Sequence, residues 1–118
     1  RNTVIMNRTE HFFFGVNGAN GKMLWTYDCK EFMKPAKPPQ IHPNPPIYRD
    51  RYVYITSGYD AGGAKFLLSK DGGKIELTWL DKTLDVFLGG AVLVNDKIYG
   101  ANYSRKSTPL LENSKGGF

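Results

Sequence analysis

This chain of 118 residues contains one cysteine, Cys29. A single thiol forms no intrachain disulfide and no multi-cysteine metal site. A nucleophilic cysteine needs a base and an orienting partner. Neither histidine, His11 or His42, stands at a spacing that points to Cys29, so a structural thiol is expected. Long apolar runs are also missing, and no transmembrane segment is expected. Nothing resembles a signal peptide. The chain begins at Arg1 rather than Met, which reads as a trimmed, processed or fragmentary chain. Proline is nearly absent outside one place: six of the seven lie between Lys34 and Pro46.

Acidic residues are the minority, 11 against 16 Lys and Arg, for a net charge of +5. An excess of this sign raises the question of a polyanion partner. The placement of the charges answers against it. Lys22, Lys65, Lys70, Lys74, Lys82 and Lys97 fall singly near turns and strand ends. Only Lys30, Lys34 and Lys37 cluster, with Glu31 among them, so no nucleic acid is expected as a partner.

What the chain does have is glycine, thirteen residues of it, with 41% hydrophobic and 14% aromatic residues. That composition suits many short strands separated by turns. The clearest unit runs from His11 to Asp28. His11 to Val16 is apolar and aromatic, Asn17 to Gly21 holds residues that tolerate positive φ, and Met23 to Asp28 resumes as a strand around Trp25. A strand from Asn2 to Asn7, built on the β-branched run Thr3-Val4-Ile5, precedes it, with Arg8-Thr9-Glu10 as the turn between them. Cys29 to Met33 allows one loose helical turn. Lys34 to Pro46 is neither helix nor central strand, because proline fixes φ and lacks the donor. It has the look of a polyproline ligand, but a stiff loop joining two sheets is preferred. Further strands are read at Ile47-Tyr48, Tyr52 to Ser57, Ala64 to Ser69, Lys74 to Leu80, Ala91 to Val94 and Lys97 to Asn102. Residues 104–118 lack a clear period and are expected to be loosely ordered.

An internal repeat organises these strands. Ile47-Tyr48-Arg49-Asp50-Arg51-Tyr52-Val53-Tyr54 aligns with Val92-Leu93-Val94-Asn95-Asp96-Lys97-Ile98-Tyr99, an offset of 45 residues. Gly21-Lys22 and Trp25 align roughly with Gly73-Lys74 and Trp79. Short-strand repeats of this length suggest propeller blades. Tyr52 to Ile55 and His11 to Phe14 carry apolar groups on both faces, as strands covered from both sides do.

On these residues the chain resembles the quinoprotein-type, pyrroloquinoline-quinone-binding-like β-propeller repeat. Asn20-Gly21-Lys22-Met23-Leu24-Trp25 stands for that family's Thr-Gly-Lys-x-x-Trp turn, with Asn20 in place of Thr. Asp71-Gly72-Gly73-Lys74 takes the turn in the next repeat, with Trp79 further on. The resemblance covers about residues 2–103 and implies an all-β fold of antiparallel, blade-like sheets. Residues 1–103 would form a partial propeller of three strands of one blade, a full blade and two strands of a third. Trp25 and Trp79, with Gly21, Lys22, Gly73 and Lys74, would be blade-docking residues. Strands at Thr3–Met6 and Lys97–Asn102 would each keep an open edge.

The same resemblance implies a periplasmic or secreted location. It also implies a non-catalytic module acting in binding or assembly, with the remaining blades or further copies as partners. The alternative is a fragment of a pyrroloquinoline-quinone-dependent alcohol or sugar dehydrogenase. In the family such enzymes hold the quinone with calcium, so both are possible in a parent protein and neither is expected for this chain. Asp60, Asp85 and Asn102 lie where calcium ligands could sit, although Asp at a turn is normally a turn former. No catalytic residue is assigned. The tyrosines Tyr48, Tyr52, Tyr54, Tyr59, Tyr99 and Tyr103 are read as packing residues before any stacking surface. Gly89-Gly90 is read as a bend before any phosphate cradle, since no helix follows.

Overall fold

The computed structural model describes residues 3–9, 11–30 and 44–102, and the backbone of 111–113. Ten strands follow in order: β1 (Val4–Arg8), β2 (Phe12–Asn17), β3 (Met23–Asp28), β4 (Ile47–Arg49), β5 (Tyr52–Thr56), β6 (Gly63–Leu68), β7 (Ile75–Asp81), β8 (Ala91–Val94), β9 (Lys97–Ala101) and β10 (Leu111–Asn113). They form three antiparallel sheets: β1-β2-β3, β4-β5-β6-β7 and β8-β9-β10. The fold is all-β. No helix of the described residues is long and apolar enough to cross a membrane.

Nine of the strands fall where the sequence places them. The tenth lies inside 104–118 and pairs with β9, Leu111 opposite Ala101. The expected open edge of Lys97–Asn102 is therefore occupied by the chain's own β10. The signal was missed because three residues carry no period. The rest of that tail, the helical turn beyond Lys30 and the loop from Lys34 to Pro43 lie outside the described residues.

Turn chemistry sets the register. Asp50 and Arg51 take φ of 49° and 70°, and Asn95 and Asp96 take 47° and 64°. Two consecutive positive φ values make the tight turn whose twist matches paired strands. The hairpins on either side agree residue for residue across the 45-residue offset: Tyr48 faces Val53 where Leu93 faces Ile98. The β2–β3 and β6–β7 hairpins form a second matched pair. Asn17 N donates to Lys22 O at 2.9 Å, and Ser69 N to Lys74 O at 2.9 Å. Each of these pairings carries one bulge, next to Gly15 and to Lys65 respectively.

The sheets pack face to face in chain order. Between the first and second lie Phe13, Trp25, Cys29, Val53, Ile55, Ala64, Phe66 and Leu68. Between the second and third lie Tyr54, Leu84, Val86 and Ile98, with Ile47, Trp79, Ala91 and Leu93 against them. Alternation along β5 sends Val53 and Ile55 one way and Tyr54 the other, so this strand is buried on both faces. That is the physical reason its sequence reads as a continuous apolar run. Burying side chains of this size contributes about 1.5–3 kcal/mol each.

Candidate functional site

The first sheet meets the second through Trp25. Its ring stacks edge-on to Phe13 at 5.1 Å, and Phe13 in turn meets Phe66 at 5.3 Å. Trp25 Nε1 donates to Gly72 O at 3.1 Å, so the indole joins β3 to the β6–β7 turn of the next sheet. The ring also lies directly over Gly15, its partner across the β2–β3 ladder, where a Cβ would collide with it.

Trp79 does not repeat this arrangement. The matched hairpins put Leu77, not Trp79, in the place of Trp25; the bulge at Thr78, between the Phe66–Leu77 and Lys65–Trp79 pairs, then turns Trp79 to the opposite face of the sheet. Trp79 is half-buried and packs toward the third sheet. Lys65 Nζ lies 5.7 Å from its ring and 5.2 Å from that of Tyr52. Gly21, Lys22, Gly73 and Lys74 belong to the two turns. Lys22 N and Lys74 N donate to Asn20 Oδ1 and Ser69 Oγ, each at 3.0 Å. Gly21 has φ of 70°, which accounts for the glycine there.

A second inter-sheet tie was not read from the sequence. Arg8 ends β1 and reaches across to the second sheet, where Nη1 donates to Thr56 O at 3.2 Å and Ser57 Oγ at 3.0 Å. Burial pushes its pKa down, and nearby Cys29 pulls the other way. The signal was parity: Arg8 shares the inward face of β1 with Val4 and Met6. Cys29 is fully buried beside it. Burial pushes its thiol up by more than Arg8 draws it down, which leaves little thiolate for chemistry.

Asp60, Asp85 and Asn102, the residues weighed for calcium, do come together. Asp85 accepts from Asp60 N and from Gly62 N, both at 2.7 Å, one on each carboxylate oxygen. Asn102 Oδ1 accepts from Asp85 N at 2.7 Å while its Nδ2 donates to Thr83 O at 2.8 Å. The cluster ties three loops together by side chain-to-backbone bonds. Burial pushes the Asp85 carboxyl up, against the pull of the two amides. Nearby, Tyr54 Oη donates to buried Asp81 Oδ2 at 3.1 Å, and Asp81 Oδ1 accepts from Thr83 N at 2.8 Å. Burial, then the charge of Asp81, pushes the Tyr54 phenol far up, so it remains a donor. Among the described residues no group of three or more His, Cys, Asp or Glu is placed to hold a metal ion.

Among the described residues a groove of about 660 Å³ lies between β1 and the second sheet, walled by Val4, Met6, Tyr48 and Leu68 with Arg51 and Lys70. No family model, curated protein or solved structure matches the chain.

Proposed function

We propose that the chain is a non-catalytic module of a quinoprotein-like β-propeller, a piece of a larger ring, that acts by packing and binding. The observation that carries this reading is the repeated hairpin. β4–β5 and β8–β9 share turn and register across the 45-residue offset, and Val53 and Ile98 at the matched position are both buried. Consecutive sheets stacked in chain order and tied by Trp25 also support it. So do the outermost faces. Ile5 and Phe12 stand 54% and 42% exposed on the first sheet, and Val92 and Val94 stand 58% and 48% exposed on the third. Apolar faces at both ends of a stack are what further sheets cover. The location that goes with this reading is periplasmic or secreted.

Dye reduction separates this from the dehydrogenase alternative. The purified chain mixed with pyrroloquinoline quinone, calcium and an alcohol or aldose should leave the electron-accepting dye unreduced above the protein-free rate. Substrate-dependent reduction would move the assignment to the dehydrogenase.

A further inference from the structure

Among the described residues no strand pairs with the outer edge of β1. Thr3 O accepts from Gly18 N at 2.7 Å, and the ladder then alternates. Ile5 and Asn7 turn their backbone groups toward β2, while those of Val4 and Met6 face the open side. The groove beside them is apolar where Val4, Met6 and Leu68 line it and positive where Arg51 and Lys70 do. Neither cation has an ion pair among the described residues. Asp71 also lines the groove, but its Oδ1 already accepts from Ser69 Oγ at 2.7 Å and Gly73 N at 2.9 Å.

The other sheets show what belongs in this position. β4 flanks β5, β8 flanks β9, and β4 and β8 touch one another. A strand flanking β1 in the same relation would meet β4, and Tyr48 of β4 lines the groove.

We propose that the groove receives a fourth strand of the first sheet: an extended acidic peptide segment from a partner protein, paired to β1. Its main chain bonds to Val4 and Met6. Alternate side chains face the groove, apolar ones against Val4, Met6 and Leu68 and, at another position of the same face, a carboxylate against Arg51 and Lys70. Main-chain bonds supply the attachment and the charge pair supplies the choice of partner. This rests on the module reading only in expecting an incomplete first sheet.

The test titrates labelled hexapeptides into the full chain and reads fluorescence anisotropy. A valine–glutamate peptide with two valines and one glutamate at alternate, groove-facing positions and threonine between them should bind. A valine–lysine peptide, and the glutamate peptide N-methylated at alternate amides, should bind at least about tenfold more weakly, a difference of about 1.4 kcal/mol. Arg51→Glu combined with Lys70→Glu should reverse the preference between the two charged peptides. Equal binding of all three peptides, or no binding, overturns the inference. A chain that associates with itself but ignores the acidic peptide refutes the strand seat and leaves the module reading standing.

Discussion

Trp25 and Trp79 look alike in the sequence, and the structure uses them differently. Trp25 is 8% exposed, fills the first inter-sheet core and bonds to Gly72 O. Trp79 is half-buried, with Lys65 Nζ over its ring. Tryptophan and a preceding Gly-Lys are legible from sequence, but the two-residue shift carries Trp79 past the β6–β7 bulge, which turns it to the opposite face, and a bulge carries no such local signal. Trp25→Ala should therefore cost ~3–5 kcal/mol, and Trp79→Ala clearly less, as read by thermal melts of the two variants. Equal losses would remove the distinction. Cys29 gives a second residue-level prediction. Being fully buried with its thiol pushed up, it should react with a maleimide in denaturant and only slowly in the folded chain. Fast labelling of the native protein would contradict its placement.

At the scale of the element, strands and turns were legible where a local rule dictates them. The Asp50-Arg51 and Asn95-Asp96 turns and the β-branched and aromatic runs between glycines are such cases. What was hidden depends on distant partners. Arg8 looks like a turn residue, yet its guanidinium is buried against Thr56 and Ser57. Arg8→Met should lower the unfolding free energy by about 2–3 kcal/mol, read as a lower denaturant midpoint with an unchanged slope. An unaltered midpoint would show that this tie does not hold the sheets. Asp60, Asp85 and Asn102 were legible as a polar set, but their role as loop ties was not, because backbone donors carry no sequence identity. Asp85 titrates higher in the folded chain than in the unfolded one. The folded state thus binds the extra proton, and the contribution of this carboxyl to stability falls as pH rises from its ordinary value through its raised folded value. Asp85→Asn should flatten that part of the stability curve, measured by urea titration across mildly acidic pH. A slope identical to that of the parent chain would contradict the buried placement.

For the whole molecule, three sheets stack along the chain and the middle one is covered on both sides. The ends are different. Ile5 and Phe12 face outward on the first sheet, Val92 and Val94 on the third, and β1 keeps an open edge among the described residues. Only β9, whose edge β10 covers, departs from the open-ended arrangement read in the sequence. Exposed faces and edges of this kind recruit further sheet. The net charge of +5 opposes association only weakly, since charges are screened over about 8 Å at physiological salt. The central claim is that this stack is an incomplete module, and light scattering over a micromolar concentration series tests it most directly. The expected mass rises with concentration above the 13.3 kDa of one chain. A constant mass of 13.3 kDa with a single cooperative unfolding transition would show that the chain covers its own faces and edges, and would contradict the account.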